Sequence, residues 1–236
     1  LNMNSDNKKN SLPEDSEMSF LEHLGDLRSR IFRATLGLLI GCLVTAFFVD
    51  FIRDELLLGP GRTFNVKLQN LQPAGQVFLT FKIIIFSGLI LSMPYILYQI
   101  WLFVAPGLYE HERSWAKKIA FFTSLCFLLG IAFAYFVMIP TMLSFISGYK
   151  SEFIENNFDV NEYFGFFNMT MLSAGLIFEL PMISYVLAKA GLLTLEFMKK
   201  YRRHSIVVNL NLAAALTPLT DPFSQLVFAA PLWILY

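Results

Sequence analysis

Apolar runs alternate with short polar segments along the whole chain, and this alternation predicts the architecture. A transmembrane helix needs roughly 20 apolar residues to cross about 30 Å of hydrocarbon, and the first four runs meet that length. The last two runs are shorter, so we expect them to face a thinned bilayer or polar surroundings. The predicted spans cover residues 31–49, 76–98, 119–140, 165–187, 205–218 and 225–236.

Cationic residues are divided unevenly between the two sets of loops. With the N-terminus in the cytoplasm, thirteen Lys and Arg residues fall in cytoplasmic segments and four in the opposite loops. Because cytoplasmic loops carry an excess of Lys and Arg, both termini are predicted to be cytoplasmic. The polar stretch 1–17 predicts a disordered tail before a membrane domain at 18–236. The last apolar run reaches Tyr236 without a flanking charge, so we expect the natural chain to continue.

Composition supports the same class of protein. The chain is 56% hydrophobic and only 15% charged, against about 25% charged residues in soluble domains. We therefore predict an all-α polytopic membrane protein. The net charge of zero gives no bulk attraction to nucleic acid. Cys42 and Cys126 lie inside apolar spans and are expected to pack there as small apolar residues.

Catalytic and metal-binding patterns are not found in the sequence. It contains no zinc-protease, P-loop or nucleophile-elbow motif. Three histidines (His23, His111 and His204) fall on separate segments and do not suggest a metal site. We therefore predict a protein that is not an enzyme and that has no cofactor.

The segment "SFLEHLGDLRSRIFR", residues 19–33, precedes the first span. Ser19 and Glu22 have the spacing of a capping box, which predicts a helix start. An interfacial helix with basic anchors explains the arginines of this segment. It does not explain an acidic residue, Asp26, placed against an anionic membrane surface.

The loop "YQIWLFVAPGLYEHERSWAKK", residues 98–118, joins the second and third spans. Its aromatic residues suit a membrane interface, and Pro106 with Gly107 predicts a turn. Glu110 and Glu112 then precede a basic cluster. Acidic residues are favoured in the first turn of a helix, so these two are open to a structural as well as a functional interpretation.

A glutamate and a proline interrupt the fourth apolar run, "SAGLIFELPMISY". Pro181 has no N–H to donate to the carbonyl of Ile177, so we expect a kink there. Glu179 is predicted near mid-depth, about 12 Å deeper than Lys82, which should extend outward rather than pair with it. An ionisable residue inside a membrane is a candidate functional site. Glu179 could couple an ion in a secondary transporter, or it could dock a partner.

Five co-linear motifs resemble the TatC family, the receptor subunit of the twin-arginine protein translocase. They are "FLEHLGDLRSR", "MPYILYQIWLFVAPGLYEHER", "FAYFVMIP", "GLIFELP" and "LTPLTDPFSQ", and the resemblance covers residues 18–236. It implies a glove-like concave bundle in a bacterial cytoplasmic membrane. It also implies export of folded proteins driven by the proton gradient, with several copies in the receptor complex.

The resemblance also implies two sets of site residues. Twin-arginine signal peptides would bind at the cytoplasmic face, through Asp26 and Glu112. Guanidinium groups pair with carboxylates in a bidentate manner, which fits this role. Asp26 stands where the family has a glutamate, so its reach is shorter by one methylene. The remaining members implied by the resemblance are His23 and Arg28 for the signal peptide, and Glu179, Thr217 and Gln225 for the helices of TatA-type and TatB-type subunits. For Thr217 and Gln225, interhelical hydrogen bonding is the structural alternative.

Overall fold

The computed structural model describes residues 14–64, 66–108, 113–148, 157–189, 191, 207–208, 210–211, 213–215 and 222–235. The first half contains α1 (Glu14–Phe47), α2 (Val49–Phe51), a π-helix (Ile52–Leu57), α3 (Leu58–Thr63), β1 (Lys67–Gln69) and α4 (Gly75–Leu108). The second half contains α5 (Arg113–Phe133), a second π-helix (Ala134–Met138), α6 (Ile139–Gly148), β2 (Asn157–Asp159), α7 (Val160–Ile177), α8 (Leu180–Lys189) and α9 (Pro222–Leu235).

Four helical segments in the described residues are long and apolar enough to cross a membrane. They are Leu24–Phe47, Gly75–Val104, Lys118–Gly148 and Val160–Lys189. They confirm the first four predicted spans and the all-α polytopic class. The last helix, α9, has 14 residues, or roughly 21 Å of helix, and residues 207–208, 210–211 and 213–215 are also helical. The count of six spans stays a prediction.

The start of α1 differs from its prediction. The helix begins at Glu14, inside the stretch 1–17 that the sequence suggested was a polar tail. Ser19 therefore lies within the helix, and the predicted capping box is wrong. In the sequence, three of the first four residues of this helix are acidic (Glu14, Asp15 and Glu17), a composition that favours a helix start.

Small residues allow α1 and α4 to pack closely. A Cβ atom on Gly41 would lie 2.7 Å from the carbonyl oxygen of Gly88, and one on Gly88 would lie 2.7 Å from the Cys42 sulfur. Thr45 adds a hydrogen bond, since its hydroxyl donates across the interface to the carbonyl of Ile84 at 3.1 Å. Close backbone approach through small residues is a common way to pack helices in membranes.

Replacing Gly41 by alanine should therefore destabilise the bundle by about 1–3 kcal/mol, since the added methyl group overpacks the contact. Gly25 on the same helix has nothing within 4 Å of its Cβ position. Gly25→Ala is the matched control and should keep or raise stability, by up to about 1 kcal/mol, because alanine favours the helix more than glycine does. Thermal unfolding of the two variants in detergent checks this, and equal Tm values would contradict it.

A cap closes one end of the bundle, built from α2, the first π-helix, α3, β1 and β2. The two short strands pair in parallel, with Lys67 opposite Asn157 and Gln69 opposite Asp159. The Tyr163 hydroxyl donates to the carbonyl of Leu57 at 3.0 Å, which ties the cap to α7. Below this end lies the main core, where the largest fully buried side chains include Phe164, Phe167 and Phe228.

The fourth span has a capped start and an interruption, and the interruption confirms the prediction made from Pro181. Asp159 is the N-cap of α7, and its side chain accepts hydrogen bonds from the N–H groups of Asn161 and Glu162. At the other end α7 stops at Ile177, and α8 begins at Leu180. Because Pro181 cannot continue the hydrogen-bond ladder, the span is interrupted at Phe178 and Glu179.

Candidate functional site

The carboxylate of Asp26 already holds a guanidinium group. Arg30 donates to Asp26 Oδ2 from Nη2 at 3.1 Å and from Nε at 3.3 Å. The two residues are four apart on α1, a spacing that brings side chains together on one helix face. The Asp26 side chain is 53% exposed and that of Arg30 is 17% exposed, so the carboxylate lies at the surface while the arginine is partly covered. Arg30 was expected only to anchor the helix at the membrane, although its spacing of four from Asp26 is typical of a pair on one helix face.

Three predicted site residues have side chains that the structure does not describe. Glu112 and Thr217 lie outside the described residues, and so does the side chain of His23. Arg28 is on the exposed surface of α1. Of the predicted peptide-binding set, the structure therefore places Asp26 and Arg28 on one exposed segment.

Glu179 occupies the turn between α7 and α8 and is 4% exposed. Its Oε1 atom has no hydrogen-bond partner in the described part of the chain. Its backbone is held on both sides, since its N–H donates to Leu176 and its carbonyl accepts from Ile183. A buried carboxylate oxygen without a partner is costly. A polar group from another molecule would stabilise this one.

Lys82 does not pair with Glu179, which agrees with the prediction that the two lie at different depths. Lys82 lines a cavity beside the cap together with Asp159 and Glu162. Glu179 lies 19 residues after Val160 and ten before Lys189, inside its span and well away from the cap. Cys126 of α5 lies within electrostatic range of Glu179. The described residues give Glu179 no salt bridge.

Gln225 links the two C-terminal helical segments. Its Nε2 donates to the carbonyl of Leu210 at 3.2 Å, and the side chain is half-buried on α9. The structural alternative, interhelical hydrogen bonding, is therefore observed for this residue. A docking role for Gln225 would use its amide oxygen or the second N–H of Nε2, which this hydrogen bond does not use.

An apolar cavity of about 590 Å³ opens beneath the cap, between α1, α4, α5 and α7. Apolar side chains dominate its lining, including Phe48, Ile90 and Met171. One polar group reaches it from α7: Asn168 is 2% exposed, and its Oδ1 has no hydrogen-bond partner among the described residues. Asn168 could not be predicted as a cavity residue from the sequence, because one amide in an apolar run forms no motif.

These features together define a polytopic α-helical membrane protein with buried polar positions inside its bundle and a charged surface next to its first span. Residues 22–231 match the family model described as "Sec-independent protein translocase protein (TatC)". The chain belongs to the TatC family.

Individual relatives and a solved structure agree with the family. The chain is 37% identical over 231 residues to the chloroplastic TATC protein of Pisum sativum, covering 97% of this chain and 64% of that protein. It is 36% identical over 225 residues to the TatC protein of Synechocystis sp., covering 95% and 87% respectively. A crystal structure described as "Twin Arginine Translocase Receptor- TatC" superposes with a TM-score of 0.80 at 33% identity, covering 91% of this chain and 94% of that one. The chain thus spans less than two thirds of the pea relative and most of the bacterial one.

Proposed function

We propose that this chain is the core receptor subunit of a twin-arginine protein translocase. It binds twin-arginine signal peptides at the cytoplasmic face and docks small partner subunits for the export of folded proteins. The observation that carries the proposal is the family match over residues 22–231, together with the likeness to a protein described as a twin-arginine translocase receptor. The family consists of translocase proteins, so we assign the chain no catalytic reaction and no cofactor.

Recognition of the arginine pair rests on Asp26 and Glu112, with His23 and Arg28 beside them. The Asp26–Arg30 pair supports this role, because it shows that the Asp26 carboxylate accepts two N–H donors of one guanidinium group. An i, i+4 ion pair on a helix whose carboxylate is exposed contributes only about 0.5 kcal/mol. An incoming arginine can therefore replace Arg30 at little cost.

Partner docking rests on Glu179, Thr217 and Gln225. The partners are the helices of single-span TatA-type and TatB-type subunits. The buried, unpartnered Oε1 of Glu179 supports this role, since a polar group on a partner helix would satisfy it.

The location follows from the charge of the loops. The chain would lie in the bacterial cytoplasmic membrane with both termini in the cytoplasm, and the cap on the opposite side. Several copies would assemble in the receptor complex, and the proton gradient would supply the energy. The alternative of a secondary transporter that uses Glu179 as its coupling carboxylate has no support in the family match.

The decisive experiment is site-specific cross-linking from residue 112 to a signal peptide. A photoreactive residue at position 112 should cross-link to a peptide that carries two arginines. It should cross-link at least about tenfold less to the same peptide with two lysines, because lysine cannot make the bidentate contact. The matched control places the probe at the exposed Glu55 of the cap, where neither peptide should react. Equal cross-linking of both peptides at residue 112 would overturn the proposed receptor function.

A further inference from the structure

A cavity of about 530 Å³ lies beside the cap, where the first turns of α4 meet the start of α7. Two kinds of side chain line it. Its polar members are Gln72, Lys82, Asp159, Asn161 and Glu162, and its apolar members are Leu71, Phe78, Phe81 and Ile85. Neither the signal-peptide site nor the partner-docking site uses any of these residues.

Lys82 is the unusual member of this cavity. It lies seven residues after Gly75, about 10 Å along the helix, and its side chain is exposed. Charged residues in membrane spans usually face the bundle interior. Lys82 instead shares a helix face with Phe78, Phe81 and Ile85, whose side chains are 59%, 60% and 58% exposed. This cation therefore faces the lipid, and the described residues give it no salt bridge.

The rest of the cavity carries the opposite charge. Glu162 lies in the first turn of α7 with an exposed side chain. Asp159 is held as the N-cap and also accepts from the N–H of Leu71 at 3.3 Å. With one ammonium and two carboxylates, the lining has a net charge of −1. It suits a ligand that carries both signs better than an anion alone.

Asn161 gives an independent indication that the cavity holds a ligand. The residue is 8% exposed and lines the cavity. Its amide group lies beside the Asp159 carboxylate, but its Oδ1 has no hydrogen-bond partner in the described part of the chain. A buried amide oxygen without a partner is costly, and a ligand with an N–H donor would satisfy it.

We propose that this cavity binds the headgroup of a zwitterionic phospholipid with a primary ammonium group, a phosphoethanolamine lipid. The phosphate pairs with Lys82, the ammonium donates to Glu162 and to the Asn161 Oδ1, and the acyl chains lie along Phe78, Phe81 and Ile85. A choline headgroup has no N–H to donate, so it would leave the acceptors unsatisfied. A glycerol headgroup leaves the lipid anionic, so the carboxylates would repel it. The site is independent of the proposed receptor function and lies at the other end of the spans from Asp26.

The test is native mass spectrometry of the full chain, delipidated in detergent and titrated with three lipids that have the same acyl chains. The phosphoethanolamine lipid should bind about tenfold more tightly than the phosphocholine and phosphoglycerol lipids, the difference expected for one charge-assisted hydrogen bond. Equal binding of all three lipids would overturn the proposal. No signal peptide is present, so this result is separate from the test of the receptor function.

Two variants separate the headgroup contacts. Lys82→Gln should weaken binding of all three lipids about tenfold, because each has a phosphate. Glu162→Gln should weaken only the phosphoethanolamine lipid and should strengthen the phosphoglycerol lipid, because one repelling carboxylate is gone. The matched controls are Arg62→Gln and Glu55→Gln, which remove exposed charges of the cap outside this cavity. If Lys82→Gln and Glu162→Gln, with an unchanged Tm, bind like these controls, the site is not at this cavity.

Discussion

Asp26→Ala should reduce the affinity for a twin-arginine signal peptide by about 10–100-fold. The peptide loses a charge-assisted contact, and such contacts contribute roughly 1.5–3 kcal/mol. Titration of a fluorescent signal peptide against the protein in detergent measures the effect. The same peptide with two lysines should bind weakly to both proteins, since it never makes the bidentate contact.

Arg30→Gln is the matched control, and it should not lower the affinity for the signal peptide. Arg30 occupies Asp26 Oδ2 in the free protein, so removing it frees the carboxylate and also removes a like charge near the incoming arginines. We expect peptide affinity to stay equal or to rise by up to about fivefold, which corresponds to the modest energies of the ion pair and of that like charge. A loss of affinity in Arg30→Gln equal to that in Asp26→Ala would contradict this account. It would mean that the intact pair, rather than the free carboxylate, forms the site.

The first four membrane spans were predictable because one local property determines them. About 20 apolar residues in a row suffice to cross the bilayer, and no information about neighbouring spans is needed. The break in the fourth span was predictable for the same reason, since the missing N–H of Pro181 acts on its own helix. The start of α1 was not predicted, because the apolar pattern that marks a span is absent from its polar first turns.

The polar sites were only partly predictable. Glu179 stands out in the sequence because a carboxylate is rare in an apolar run. Its burial agrees with the prediction that it lies inside the span. The cavity at Lys82 was not foreseen, because its members come from α4 and from the start of α7, about 80 residues apart. The parallel pairing of β1 with β2 creates this neighbourhood. Pairing between distant segments of three residues leaves no periodic signal in either of them.

Glu179→Ala should weaken recruitment of a small single-span partner subunit while leaving signal-peptide affinity near normal. An interhelical hydrogen bond in a membrane contributes about 0.6–2 kcal/mol, so we expect a loss of about 3–30-fold in partner affinity. Co-purification of a tagged partner with the full chain, and its titration in nanodiscs, measure this loss. Normal recruitment and normal export in Glu179→Ala would refute the docking role.

Glu179→Gln distinguishes docking from ion coupling. Glutamine keeps the shape and the hydrogen-bonding capacity of the side chain but cannot carry or release a charge. A docking site should therefore keep most of its partner affinity in Glu179→Gln and lose it in Glu179→Leu. If Glu179 instead coupled an ion, transport should be lost equally in both variants. Without its partner, Glu179→Leu should be at least as stable as the parent chain, because it removes a buried oxygen that has no hydrogen-bond partner. An unchanged or higher Tm combined with lost recruitment would show that this carboxylate is kept for binding rather than for folding.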